Sequence, residues 1–162
     1  MKPGLLLLTA LLLAGCSDRV VFQQDTPVPN GLWERTWKPS FTFNITDTVA
    51  PHDIFLDIRH TGDYPFSNLY VFATLTGPRG HVLTDTVECQ LADPTGRWYG
   101  KGTGFIHSDR VSAHVLYRTG STFPAAGSYT LQLEQAMRSQ ALPGVMDVGA
   151  SIERTTGRRP QR

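Results

Sequence analysis

Residues 128–134 read SYTLQLE. Tyr129, Leu131 and Leu133 alternate with Thr130, Gln132 and Glu134, so apolar and polar side chains repeat with a period of two. An amphipathic helix would space its apolar residues three and four apart, whereas a strand with one buried face needs this alternation. The period recurs outward in both directions. Phe41, Phe43 and Ile45 alternate with Thr42, Asn44 and Thr46, and Ile54, Leu56 and Ile58 with Phe55, Asp57 and Arg59. Leu69, Val71, Ala73 and Leu75 form another apolar face, as do Val111, Ala113, Val115 and Tyr117, and then Val148, Ala150 and Ile152. Between these runs lie Thr-Gly-Asp, Gly-Pro-Arg-Gly, Asp-Pro-Thr-Gly and Ala-Ala-Gly strings, all composed of residues that favour turns. Gln135 to Leu142 is the one stretch read as a short turn or helix. The pattern predicts an all-β chain: an antiparallel two-sheet β-sandwich, jelly-roll-like, with about eight strands. Polar outer faces exclude an outer-membrane barrel, whose outside must be apolar.

The N-terminus carries a different signal. Met1-Lys2 supplies a positive charge, and Leu5 to Leu13 is a nearly unbroken apolar run. That run is shorter than the roughly 20 residues a spanning helix needs, and it fits the core of a secretory signal. It ends in Leu13-Ala14-Gly15-Cys16, the pattern of a bacterial lipobox, with Cys16 as the lipidated residue. Two or more acyl chains of the palmitate kind would anchor the chain stably to a membrane. Residues 1–15 therefore read as a lipoprotein signal peptide and residues 16–38 as a lipid-anchored tether and lead-in segment rich in Pro and Gly. Residues 39–153 read as the sandwich, a usual length for one domain. Residues 154–162 form a basic tail with the composition of a disordered segment.

Charge and chemistry exclude several classes. The chain has 162 residues and a formal net charge of +1. Arg154, Arg158, Arg159 and Arg162 crowd into the tail, so the body is mildly acidic and offers no basic stripe for nucleic acid. With Cys16 lipidated, Cys89 has no partner within the chain, so neither a disulfide framework nor a cysteine zinc site follows. Cys89 sits in a strand pattern and reads as a small buried hydrophobe. The five histidines (His52, His60, His81, His107 and His114) form no metal-binding spacing. His60 with Asp57 and Asp63 is the nearest approach to a cation site. A turn, with Arg59 paired to a carboxylate, explains those residues more simply. Ser67, Ser108 and Ser112 lack a nucleophile-elbow context. Asp53 and Asp57 share a strand face about 13 Å apart, too far for a retaining glycosidase pair. No catalytic residue, cofactor or metal is expected. Asp47-Thr48-Val49 and Asp85-Thr86-Val87 resemble an O-glycosylation sequon of exported Bacteroidota proteins, which would modify Thr48 and Thr86. A strand-edge Asp-Thr pair gives the same string.

Residues 91–104, LADPTGRWYGKGTG, concentrate glycines around a Trp-Tyr pair. Gly96 and Gly100-Lys101 are spaced too closely for a phosphate loop, and no helix pattern follows to hold an anion. Gly100, Gly102 and Gly104 instead leave one strand face bare, which permits close backbone approach. Several strings recur together in order: Asp53 to His60, Tyr64-Pro65-Phe66-Ser67-Asn68-Leu69, Leu91 to Gly102, Glu134 to Arg138, and Val148-Gly149. In these the chain resembles the gliding-motility lipoprotein family GldH of Bacteroidota over nearly its whole mature length. The resemblance implies a lipoprotein of the periplasmic or outer-membrane side, associated with gliding motility and, through that machinery, with envelope secretion. It implies no enzymatic activity. The chain is accordingly expected to act as a scaffold or stabiliser of such machinery. The expected partner surface comprises Tyr64, Phe66, Asn68, Asp93, Arg97, Trp98, Tyr99 and Lys101. A glycan-binding module is the alternative, because aromatic faces also stack on sugars. Trp33, Trp37, Tyr64, Phe66, Trp98 and Tyr99 would either plug the ends of the sandwich or form such a rim.

Overall fold

A computed structural model of the chain describes residues 19–102 and 110–156. Cys16, Gly104, His107, Ser108 and the tail from residue 157 lie outside the described residues, as does the side chain of Lys101. Among the described residues eleven strands form: β1 (Val20–Pro27), β2 (Leu32–Glu34), β3 (Ser40–Ile45), β4 (His52–Thr61), β5 (Asn68–Thr76), β6 (Val82–Gln90), β7 (Lys101–Gly102), β8 (Arg110–Ser121), β9 (Gly127–Gln135), β10 (Ala141–Pro143) and β11 (Val145–Arg154). One sheet runs β1-β11-β4-β8-β7, the other β3-β9-β5-β6, and β10 pairs with β2 as a separate ribbon. All pairings are antiparallel.

With the short β2, β7 and β10 set aside, the order has a simple logic. The large sheet then interleaves the first, last, third and sixth long strands, and the other interleaves the second, seventh, fourth and fifth. Each sheet draws strands from both halves of the chain, so the chain wraps as two Greek keys, the jelly-roll arrangement. The predicted alternation decides which side chains enter. Tyr129, Leu131 and Leu133 are buried together with Phe41, Phe43, Ile45, Leu69, Val71 and Ala73 from one sheet. Ile54, Leu56, Ile58, Val148, Ala150 and Ile152 meet them from the other. Each fully buried side chain of this kind contributes roughly 1.5–3 kcal/mol.

The lead-in segment departs from the sequence reading, and the Gln135–Leu142 stretch takes the turn rather than the helix. Val20–Pro27, placed in the tether, is an edge strand of the large sheet and pairs with β11 from Val20↔Glu153 to Pro27↔Asp147. It escaped notice because edge strands are mostly exposed, and only Phe22 packs inward, against Phe43 at 5.5 Å. Trp33, from the same lead-in segment, is fully buried. The Gln135–Leu142 stretch is a bend leading into β10, with no helix. The Gln135 side chain holds it: its amide donates to the carbonyls of Ser139 and Gln140, and its carbonyl accepts from the Met137 amide. Only a 3-10 turn at Pro29–Gly31 is helical among the described residues.

The strands define two ends of the body. At the near end, the Arg154 amide donates to the carbonyl of Arg19, just before β1, and Arg154 pairs with His52, which pairs with Ser121. The chain therefore enters and leaves the body at the same end. At the far end lie Thr61, Asn68, Gln90 and Val145. Ten residues of β4 separate the ends, a span of about 30 Å.

Candidate functional site

The far end gathers the two segments nominated from sequence. The amides of Leu91 and Ala92 donate to the Ser67 carbonyl, and Ala92 bridges to Trp98, so the Tyr64–Leu69 turn and the 91–102 segment are stitched together. A ladder of rings links them. Phe66 meets Tyr64 at 5.8 Å, Tyr64 meets His60 at 5.6 Å, and His60 meets Trp98 edge-on at 4.6 Å. Tyr64 is buried at 3% exposure and donates its hydroxyl to the Asn68 carbonyl. Burial pushes its phenol far above the ordinary tyrosine range, so it stays a neutral donor. His60 is fully buried at the end of β4. Its Nδ1 lies 2.8 Å from the Thr61 carbonyl, and its Nε2 has no partner. Burial holds the imidazole below its ordinary value, which keeps it neutral.

Asp93 builds the turn between these rings. One of its oxygens accepts from the amides of Thr95 and Arg97 and from the Thr95 hydroxyl, and the other accepts from Arg97 Nε at 3.1 Å. The Thr95 hydroxyl above all holds the Asp93 carboxyl below the usual range, with the Arg97 and Thr95 amides adding to it. Asp93 thus shapes the loop, while Arg97 stays largely in solvent. Gly100 has φ +146°, and a Cβ there would strike the Ser112 carbonyl of β8. The glycine-rich string is therefore a close-packed hairpin start.

The nominated residues divide into two groups. Tyr64 and Asp93 are structural, and Trp98 is half-buried against His60. Asn68 donates to Glu88 Oε1 at 2.8 Å. Phe66, Arg97 and Tyr99 remain outward, with Phe66 at 37% and Tyr99 at 46% exposure. Trp33 is buried beneath, donating Nε1 to the Trp37 carbonyl and meeting Trp37 edge-on. A sugar platform needs exposed coplanar rings. Here Trp33 and Tyr64 are buried and the Trp98 ring is turned 63° to His60. Of the two nominated threonines, Thr86 is exposed on edge strand β6 and Thr48 is half-buried. Asp47, beside Thr48, caps the amides of Val49 and Ala50.

His60 and Asp57 do not converge, because an odd spacing of three along β4 places His60 in the core and Asp57 on the outer face. Asp57 instead joins a polar layer drawn from several strands of the large sheet. It accepts from Ser151 and lies 2.5 Å from His114 Nδ1, while Arg59 Nε donates to Asp147 at 2.6 Å. The Asp57 bond above all raises the His114 imidazole, against the opposing effect of burial. Burial, then the Asp57 and Asp147 carboxylates, push the Asp25 carboxyl up. Gly149 makes room for Asp25, whose carboxylate occupies the space a Cβ would take. The residues border a cleft of about 260 Å³. The sequence could not show this layer, because its members come from four strands, β1, β4, β8 and β11, that are far apart in the chain. Asp53, on the same face, is consumed locally. Burial pushes its carboxyl up, but the Thr155 and Thr119 hydroxyls and the Gly120 amide outweigh that and hold it down. Cys89 is buried in β6, and burial pushes its thiol up to about 12, far from reactive. Among the described residues no group of three or more His, Cys, Asp or Glu side chains is placed to hold a metal ion.

Residues 20–152 match the profile of the family described as GldH lipoprotein. The chain belongs to the GldH lipoprotein family. The match begins with β1 and stops within β11, so it spans the strands of the jelly roll in this chain. The chain is 30% identical over 159 residues to the gliding motility lipoprotein GldH of Flavobacterium johnsoniae, covering 94% of this chain and 96% of that one. It is 29% identical over 154 residues to the gliding motility lipoprotein GldH homolog of Christiangramia forsetii, covering 91% of each. Among solved structures, a family GH115 4-O-methyl-α-glucuronidase aligns with a TM-score of 0.38 and 14% identity, over 81% of this chain and 18% of that one. As a GldH lipoprotein, the chain is a member of a lipid-bearing family, consistent with its N-terminal lipobox pattern.

Proposed function

We propose that this lipoprotein is a non-catalytic scaffold of the cell envelope, anchored through Cys16 in the outer membrane, that holds or stabilises gliding-motility or secretion machinery. The curated relatives named above are gliding-motility lipoproteins, which supports the setting. One observation carries the molecular task. The chain enters at the near end, so a lipid on Cys16 tethers that end, and the far end stands about 30 Å away. That far end is braced from within by buried rings and presents Phe66, Arg97 and Tyr99 outward. Aromatic residues and arginine are favoured interface anchors, and rigid support lowers the ordering cost of binding.

The test is crosslinking in cells followed by mass spectrometry, comparing the native protein with an Arg97→Glu/Tyr99→Ala double variant. Both side chains are exposed, so abundance and folding should hold. Motility or secretion components captured by the native protein and lost in the variant are the expected result. Equal capture by both moves the interface elsewhere, and capture of no envelope protein by either defeats the scaffold.

A further inference from the structure

The near end is left open between the sheets. Between the two sheets lies a cavity of about 430 Å³, within the 300–1,000 Å³ range of small-molecule sites. Its walls are apolar: Ile54 of β4, Leu75 of β5, Leu83 of β6, and Phe123 and Tyr129 around the β8–β9 turn. Phe123 and Tyr129 pack edge to face at 4.8 Å, and Phe43 stacks on Tyr129 behind them, so the floor is rigid. Arg79, His81 and Arg118 also line it. Arg79 and His81 are exposed on the β5–β6 turn, while Arg118 Nη2 donates to Asp85 at 3.0 Å. Asp85 also accepts the Tyr117 hydroxyl at 2.6 Å. The cavity thus joins a hydrophobic interior to the exposed guanidinium of Arg79, with Arg118 beside it paired to Asp85, the complement of an anionic head on an acyl tail.

Its position identifies the source of such a molecule. Cys16 stands three residues before Arg19, so a lipid there holds the near end within about 10 Å of the bilayer. The cavity strand β8 lies three strands from β1, roughly 15 Å across the sheet. Valine side chains at this end are also exposed, Val49 at 83% and Val82 at 56%.

We infer that the near-end cavity binds a single-chain anionic amphiphile from the membrane, a fatty acid or a lysophospholipid, with its tail between the sheets and its charged head at Arg79, His81 and Arg118. Apolar burial alone would not draw a tail from the bilayer, because each methylene gains about the same in either place. The Arg79 guanidinium at the mouth supplies the preference. This inference rests on the near end being the anchored one, and the test separates the two claims.

Cells producing the full-length protein are fed a fatty acid with a photoreactive diazirine in its tail, irradiated, and the labelled peptides are mapped. The expected adduct lies on peptides containing Leu75–Leu83 or Thr122–Tyr129. Its mass reports whether the ligand is a free fatty acid or a lysophospholipid. Arg79→Glu, an exposed change that leaves the fold intact, should reduce that labelling about tenfold, and Leu83→Trp, which fills the cavity, should abolish it. Labelling of cavity peptides that is unchanged by Arg79→Glu overturns the anionic specificity and with it the proposal. An adduct joining these peptides to the Cys16 peptide means that the protein's own anchor fills the cavity, which also overturns it. Label on the Val49 loop without label in the cavity overturns the cavity claim while leaving the orientation standing. Label on neither, with label on Phe66 or Tyr99 peptides, overturns both.

Discussion

The two ends of the jelly roll solve the same problem in opposite ways. Any sandwich leaves its core open where the sheets stop. At the far end Trp33, Tyr64, His60 and Trp98 fill that opening, and even the polar atoms of Trp33 and Tyr64 find carbonyl partners. At the near end Phe43, Phe123 and Tyr129 form a floor, but a cavity remains above it. A sealed end can carry a rigid surface, whereas an open end can take a small ligand. The difference shows that the aromatic residues of this chain are divided by position rather than by type.

The largest test of that division is a paired truncation. Trp33→Ala removes a fully buried indole and its hydrogen bond to Trp37, and should cost about 3–5 kcal/mol. Leu75→Ala lies on the cavity wall and is only half-buried, so it should cost about 1–2 kcal/mol. Urea denaturation of both variants gives the comparison directly. Equal losses would mean that the near end is packed as tightly as the far one.

Next in size is Gly100→Ala. The new methyl meets the Ser112 carbonyl, and the backbone must hold φ +146° with a side chain present. A cost of about 1–3 kcal/mol is expected. The damage should be confined to the far end. Hydrogen exchange ought to rise at Val111 and Ser112, where β7 pairs with β8, and not at Tyr129 on the cavity floor. Exchange that rises equally at both ends would show the ends to be one cooperative unit, with no independent rim.

How much of this was legible beforehand follows the same lines. The period of two from Phe41 to Ile152 specified the inward faces, because a strand with one buried face allows no other pattern. The two segments that meet at the far end were singled out by their turn residues, their rings and the family resemblance, all of which are contiguous in sequence, and not by that period. Three things stayed hidden. Strand β1 hid because an exposed edge strand needs little apolar alternation, and Pro27, Pro29 and Gly31 made its surroundings look like a loop. The Asp25–Asp57–Asp147 layer with Arg59 and His114 hid because strand order, not sequence, makes these residues neighbours. The near-end cavity hid because Leu75 read as one more inward residue of its strand, and nothing in the sequence around Leu83 or Phe123 marks a void. A pattern of hydrophobicity says which residues face inward but not whether the interior they face is filled.

The smallest expected effect separates the two histidines that the fold treats in opposite ways. His60 sits in the far-end plug, where burial lowers its pKa from the ordinary 6.5. The unfolded chain protonates that residue near 6.5 while the folded chain does not. Stability from this site therefore falls as the pH drops from about 6.5 toward the lowered folded value. His114 lies on the outer face of the large sheet, stacked on Phe55 at 3.9 Å, where the Asp57 bond raises its pKa. Its contribution is complete below about 6.5 and is lost as the pH rises through the folded value. Because His114 is half-exposed, solvent screens that contribution and keeps it small. NMR titration of the ring protons should place His60 below 6.5 and His114 above it. Asp57→Asn should bring His114 back toward its ordinary value and leave His60 unmoved. If the variant shifts both, the outer face and the far-end plug are coupled through β4, and the two ends of the molecule are not electrostatically independent.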